Sequence, residues 1–326
     1  MMAFTLHSLG ILARFARGQS RPATTRTGSR FGQYTLEEKI GEGGMSEVYR
    51  ARHALLRRPT AIKLLARNVS EPEVCRFETE VQLTAELRHP NTISIYDYGR
   101  APDGTPYYAM ELLDGVTLQD LVERHGAQSS ARVIHLLLQV CAALREAHGA
   151  GLIHRDVKPA NVFLCRHRAL PDVVKVLDFG LVKQLGNADT NLTHADTIVG
   201  TPLYLAPEAI TAPETVDARS DLYALGAVGY FLLSGTPLFS GNTVEVCAHH
   251  LYSAPQPLSR CTGRSISEDL ERVIMDCLAK DPAHRPRNAE ELARRLRACA
   301  EAGAWRESDA ERWWRRRERQ DFGAPA

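Results

Sequence analysis

The run His154-Arg155-Asp156-Val157-Lys158-Pro159-Ala160-Asn161 and the later triplet Asp178-Phe179-Gly180 concentrate the groups in this chain that could do chemistry. Carboxylate and amide oxygens suit a hard, hydrated cation such as magnesium, which takes few protein ligands besides substrate phosphates. A lysine among them supplies positive charge for phosphate oxygens. Phosphoryl transfer depends mainly on positioning and charge neutralisation, so this is a set that could move a phosphoryl group onto a hydroxyl. A lone Asp-Phe-Gly is usually only a turn. Here it follows the apolar run Val173-Val174-Lys175-Val176-Leu177, predicted as a strand that delivers Asp178 to a cleft, with Phe179 anchoring the loop by burial.

Other elements must bring cations and backbone donors to that set. Short β-rich runs are predicted at Tyr34 to Ile40, Val48 to Ala51, Thr60 to Leu65, Ile93 to Tyr98 and Tyr107 to Leu112, bounded by turn residues. Gly41-Glu42-Gly43-Gly44-Met45-Ser46-Glu47-Val48 lies between the first two, where a hairpin could close over phosphates. Lys63 ends an apolar strand, where a lone charge is costly unless paired. Its partner is sought on the one intervening helix, which opens with the capping spacing Ser70-Glu71-Pro72-Glu73 and runs to about Leu87. Glu73, Glu78 and Glu80 compete on charge alone; the run Arg76-Phe77-x-x-Glu80 ahead of His89-Pro90 favours Glu80.

After Asp114-Gly115 the pattern turns helical. Val133, Leu136, Leu137, Val140 and Leu144 fall at helical spacing in 130 to 148, and further helices are predicted at 219 to 233, 242 to 253, 267 to 279 and 288 to 300. The expected fold is therefore α+β and bilobal: a small β-rich N-lobe with one main helix (34 to 112) and a larger, mainly α-helical C-lobe (115 to 300).

In order and spacing these motifs resemble those of bacterial eukaryotic-like (Hanks-type) serine/threonine protein kinases over residues 34 to 300. The resemblance implies that Asp156 accepts the proton of a substrate hydroxyl and that Asn161 and Asp178 hold magnesium, with manganese as a substitute. It implies that Lys63, paired with Glu80, binds the α and β phosphates of ATP and that Lys158 neutralises the γ phosphate. The nucleotide would lie among Ile40, Gly41, Glu42, Gly43, Gly44, Met45, Ser46, Val48, Ala61, Lys63, Met110, Glu111, Leu113 and Phe163. Ser46 stands where the family's third loop glycine is usual. Met110 to Gly115 resembles the hinge, with Asp114 either binding ribose or capping the next turn. Glu208 of Ala206-Pro207-Glu208 is expected to pair with Arg285, and Thr201 with Lys158 suggests Ser/Thr specificity. Asp221 would either brace the catalytic loop or serve as a helix N-cap. Arg155 implies control by a phosphate on the activation segment, with autophosphorylation at Thr190, Thr193 or Thr197.

Two other classes fit these residues less well. A pseudokinase would signal by shape alone, but Lys63, Glu80, Asp156, Asn161 and Asp178 are all intact. A small-molecule phosphotransferase would lack the long threonine-bearing segment that ends at Glu208.

The 326 residues leave no room for a second catalytic domain, and 40 Lys and Arg against 39 Asp and Glu give no general pull toward nucleic acid or acidic membranes. Seven scattered cysteines read as reduced thiols, and no apolar run is long enough to span a bilayer. A cytoplasmic protein is expected, acting on Ser/Thr-bearing protein substrates and self-associating for phosphorylation in trans. Residues 1 to 33 read as a basic, flexible extension, with a targeting peptide or a membrane-surface helix as alternatives. The insertion Cys165 to Asp172 reads as a solvated hairpin or a docking patch. The tail 301 to 326 reads as a helix opening at Ser308-x-x-Glu311, with one of Trp313 and Trp314 packed on the large lobe and the other awaiting a partner.

Overall fold

The computed structural model describes residues 26–43, 46–65, 70–101, 103–166, 171–179, 202–263 and 265–322. Six strands, β1 (Arg30–Phe31), β2 (Tyr34–Glu42), β3 (Ser46–His53), β4 (Pro59–Leu65), β5 (Ile95–Arg100) and β6 (Pro106–Glu111), form an antiparallel sheet in the order β1-β2-β3-β4-β6-β5. The short β1 lies in what the sequence assigned to the extension; Phe31 places it there by packing its ring edge-on to Tyr107, with centroids 5.6 Å apart. Between β4 and β5 runs α1 (Glu71–Glu86). Its first turn carries the expected capping box, the Glu73 carboxylate accepting the Ser70 N–H at 2.6 Å.

The larger lobe contains β7 (Gly115–Thr117), α2 (Leu118–His125), α3 (Ser130–Gly149), β8 (Val162–Arg166), β9 (Pro171–Val176), α4 (Pro207–Thr211), α5 (Ala218–Ser234), α6 (Thr243–Tyr252), α7 (Leu258–Cys261), α8 (Glu268–Cys277), α9 (Ala289–Arg297) and α10 (Glu307–Phe322), with β7, β8 and β9 forming a second sheet. The bilobal α+β architecture expected from the sequence is thus what the chain adopts. Helix α5 is buried on every side from Ser220 to Leu233, as a helix apolar all round must be. Gly226 and Gly229 let α8 approach it closely: a Cβ on either would lie within 2.6 Å of Cys277 Cβ or 2.7 Å of Ile274 Cδ1. Among the described residues no helix is long and apolar enough to cross a membrane.

The ends of the large lobe depart from the sequence expectations. The tail is helical, but α10 opens at Glu307, with the Asp309 carboxylate accepting the Arg306 N–H at 3.0 Å; Ser308 therefore lies inside the helix. Neither tryptophan awaits a partner. Trp314 is 5% exposed within the main core, and Trp313 packs edge-on to Trp314 and to His125 and lies under the Arg132 guanidinium at 4.0 Å. The insertion is not simply a solvated hairpin either: Asp172 is buried against Arg132, Trp305 and Trp314. Residues 167–170 lie outside the described residues.

Emptying the Trp314 site removes a large apolar side chain from the main core. Trp314→Ala is expected to cost about 3–5 kcal/mol and to lower the melting midpoint by roughly 10 °C. Differential scanning calorimetry checks this; an unchanged midpoint would mean that α10 is not docked in solution.

Candidate active site

Register places the small-lobe site residues on one face of the sheet. Gly41 pairs with Val48, Val48 with Lys63 and Lys63 with Tyr108, while Ala61 pairs with Met110; directly opposed residues share a face, as do residues two apart on one strand. Val48, Ala61, Met110, Leu113 and Phe163 are buried in one apolar cluster with Ile40 against it. Phe163 comes from β8, so the cluster joins the lobes. Ser46 pairs with Leu65 in extended conformation, which any residue adopts, so no glycine is required there. Glu42 and Gly43 are described, with the Gly43 N–H donating to Ser46 O at 2.7 Å; Gly44 and Met45 lie outside the described residues.

The segment between the lobes is fixed through Glu111. Its N–H donates to Ser94 O at 3.0 Å, and its carboxylate accepts the Ser94 N–H at 2.8 Å and Lys175 Nζ at 2.6 Å. Asp114 does not cap the following helix. Thr117 is the N-cap of α2, accepting the Asp120 N–H at 3.0 Å, while Asp114 contributes its carbonyl to the Arg166 N–H at 2.7 Å.

Lys63 Nζ bonds Asp178 Oδ1 at 2.7 Å and lies 3.4 Å from Glu80 Oε1. Burial disfavours its charge, yet the Asp178 and Glu80 carboxylates hold its pKa well above the ordinary lysine value. Burial pushes the Glu80 carboxyl up to about 7; Lys63 opposes this and Asp178 reinforces it. The rival Glu78 points elsewhere, accepting from the Tyr98 hydroxyl and from Arg100 Nη2 at 2.8 Å. These bonds tie α1 to β5 and so fix the helix that carries Glu80.

The run from His154 to Asn161 hangs from α5. Asp221 accepts the His154 N–H and the Arg155 N–H, each at 2.8 Å, and faces His148 Nε2 at 2.8 Å. The helix N-cap is Asp217, which accepts the Arg219 N–H at 2.8 Å, leaving Asp221 to brace the loop. His154 Nδ1 accepts the Asp156 N–H at 3.2 Å, so Nε2 is the nitrogen that donates to Leu177 O at 3.0 Å. Burial pulls this imidazole below its ordinary pKa against the pull of Asp221, consistent with that neutral tautomer. Its ring packs on Phe179 with centroids 4.6 Å apart, which is the loop anchor expected of that phenylalanine.

Around Asp156, Lys158 Nζ bonds Oδ2 at 2.6 Å and Asn161 Nδ2 bonds both Oδ2 and the backbone O at 3.0 Å. With its amide nitrogen so engaged, Asn161 keeps its oxygen as an acceptor. Asp178 adds a carboxylate, and its φ of 46° sets it apart from ordinary strand residues. Among the described residues no group of three or more His, Cys, Asp and Glu could hold a metal alone; two oxygen donors suit an ion whose other ligands are water and phosphate.

Glu208 and Arg285 form the expected bidentate pair, at 2.6 and 2.8 Å. Burial alone would raise the Glu208 pKa, but Arg285 and Ser220 lower it. Gly180, Thr190, Thr193, Thr197 and Thr201 lie outside the described residues. The sequence reading missed Tyr108, whose hydroxyl lies 3.4 Å from Asp178 Oδ1. Its place two residues before Met110 put it on the same strand face, but only the register sets it opposite Lys63.

The profile of the protein kinase domain matches residues 34–295. Serine/threonine-protein kinase pkn3 of Myxococcus xanthus is 40% identical over 272 residues, covering 82% of this chain and 50% of that protein. Serine/threonine-protein kinase PknB of Mycobacterium tuberculosis is 40% identical over 266 residues, covering 80% and 42%. The chain thus spans half or less of the length of these relatives. Among solved structures, the Mycobacterium tuberculosis PknI kinase domain aligns with a TM-score of 0.63 at 28% identity, covering 84% of this chain and 98% of that one. The apo form of PpkA-294 aligns with a TM-score of 0.68 at 27% identity, covering 86% and 100%. With its fold, its site geometry and its sequence in agreement, the chain belongs to the protein kinase family, among relatives that are bacterial serine/threonine-protein kinases.

Proposed function

We propose that the protein transfers the γ-phosphoryl group of ATP to serine and threonine hydroxyls of protein substrates, using magnesium or, in its place, manganese. The observation that carries the reading is the bond from Lys63 of the small lobe to Asp178 of the large lobe at 2.7 Å, which puts a cation suited to phosphate and a carboxylate suited to a metal at one point. Asp156 accepts the proton of the attacking hydroxyl, and Lys158, bonded to it, supplies charge for the transferred phosphoryl group. Asn161 and Asp178 would hold the metal, whose contribution when bound is to neutralise charge developing on the phosphate oxygens. Ile40, Val48, Ala61, Met110 and Phe163 enclose the adenine, backbone groups of Glu111 and Leu113 bind its edge, and Asp114 meets the ribose. Gly41 to Ser46 cover the phosphates.

Protein rather than small-molecule substrates are supported by the Glu208–Arg285 tie, which fixes the end of the long segment after Asp178. Self-association in a cytoplasmic setting, with phosphorylation in trans at Thr190, Thr193 or Thr197, completes the reading. Threonine phosphate surviving in Asp156→Asn protein, measured by mass spectrometry, would remove autocatalysis from it.

Incubation with labelled ATP and magnesium is expected to label the protein itself or a generic protein acceptor, and Lys63→Met or Asp156→Asn to lower transfer by at least ~100-fold. No transfer by the unmodified protein would assign the fold to nucleotide binding without catalysis.

The raised Glu80 pKa gives a pH dependence of definite sign. Neutral Glu80 suits the buried site, so its contribution to stability is complete below about 4.5 and lost as pH rises through about 7. Holding Lys63 requires the carboxylate instead. The kcat/KM for ATP is therefore expected to rise with pH through about 7, and Glu80→Gln to abolish that limb. An acid limb unchanged in Glu80→Gln would assign it to another group.

A further inference from the structure

Asp172 joins the C-terminal tail to the strand that carries Asp178. Along the β8–β9 ladder, Cys165 pairs with Val173 but Arg166 pairs with Pro171. Asp172 is therefore the extra residue of a bulge, and its φ of 62° turns it out of the strand alternation; bulges commonly re-aim a side chain in this way. The side chain, 0% exposed, receives four donors. Arg132 Nε at 2.9 Å and Trp305 Nε1 at 3.1 Å reach Oδ2, while Arg132 Nη2 at 3.0 Å and Trp314 Nε1 at 2.7 Å reach Oδ1.

From this node a chain of bonds runs to the active site. The Asp172 carbonyl accepts Gln139 Nε2 at 2.9 Å, and Gln139 Oε1 accepts the Val174 N–H at 2.9 Å. Val176 N–H donates to Asn91 O at 2.7 Å and Leu177 N–H to Asn161 O at 2.9 Å. Strand β9 is thus held at its far end by the catalytic loop and at its near end by the tail, and Asp178 follows directly.

We propose that Trp305 and Trp314 are positioning residues for phosphoryl transfer, their indole N–H groups completing the donor set of Asp172 that fixes β9 and so the place of Asp178. The inference rests on the reading of Asp178 as a metal ligand. Packing alone does not account for the pair: a phenylalanine ring would fill the apolar seat of Trp314 and could lie under the Arg132 guanidinium as the Trp305 ring does at 4.9 Å, and only the carboxylate needs both N–H groups.

The test uses the full chain carrying Trp305→Phe and Trp314→Phe together, beside Leu232→Ala in α5 as a destabilised control, each assayed well below its melting midpoint. The double variant is expected to raise the magnesium concentration for half-maximal transfer about tenfold, as loss of a supporting hydrogen bond does around metal sites. It should also speed hydrogen exchange at the Val174, Val176 and Leu177 amides, with Leu232→Ala doing neither. Unchanged magnesium dependence, or the same shift in Leu232→Ala, overturns the proposal. Asp178→Asn separates the two readings. If it abolishes transfer while the double variant behaves as the unmodified protein, the tail's role alone fails; if it transfers normally, the reading of Asp178 fails and the inference with it. Should the double variant not fold, Trp305→Phe, which loses only the longer indole bond, is read in the same assays with the same outcomes.

Discussion

The site depends first on a carboxylate buried in the core behind it. Asp221, 1% exposed on core helix α5, accepts two successive backbone N–H groups at 2.8 Å. The chain needs that hold because Arg155 sits at a φ of 63°, a conformation that costs a non-glycine residue about 1–3 kcal/mol. Two hydrogen bonds to an ionised acceptor, each worth about 1.5–3 kcal/mol, are enough to offset it. The turn so fixed presents the His154 ring to Leu177 O and to Phe179. One anchor in helix α5, buried from Ser220 to Leu233, thereby orients both the loop bearing Asp156 and the loop bearing Asp178.

A second constraint is the sharing of one cation by two carboxylates. Lys63 lies nearer Asp178 than Glu80, at 2.7 against 3.4 Å. At the effective dielectric that describes such sites, the shorter distance favours Asp178 by only about 1 kcal/mol. So small a difference makes the lysine's allegiance sensitive to any further positive charge near Asp178, which would leave Lys63 to Glu80. Holding α1 in place through Glu78, Tyr98 and Arg100 keeps that second partner within reach. Burial is what raises the Glu80 pKa; Lys63 opposes that rise, and the nearby Asp178 carboxylate adds to it.

Most of this site was legible in the sequence because its residues are grouped in short runs whose order implies the cleft. His154 to Asn161, Lys63 in an apolar strand and the Ser70 capping box each carry a local signal, and helices α3, α5, α6, α8 and α9 follow their periodicity, whereas the short α4 and α7 gave none. Tyr108 was not legible, because its role comes from lying opposite Lys63 across a ladder, and register is a tertiary property. Asp221 was half legible: the first turn of an apolar helix suggests a cap, and only Asp217 filling that place releases Asp221 for the loop. Ser308 misled for the converse reason, since its spacing to Glu311 fits a capping box while Asp309 one residue on closes the helix instead.

Asp172 shows where local reading fails most. Its neighbours Arg166, His167 and Arg168 suggest a solvated turn, whereas the groups that neutralise it, Arg132, Trp305 and Trp314, stand 40, 133 and 142 residues away in the chain. A buried ion pair of this kind is not explained by stability, because apolar side chains of similar volume often serve as well or better, while removing one partner costs about 3–5 kcal/mol. What an ion pair adds is direction. Four donors converging on two oxygens admit one placement of the bulge, where an apolar contact would tolerate sliding. That constraint is exerted at the start of the strand whose other end leads to Asp178, so the cost of burying the charge is offset where the fold most needs a single register.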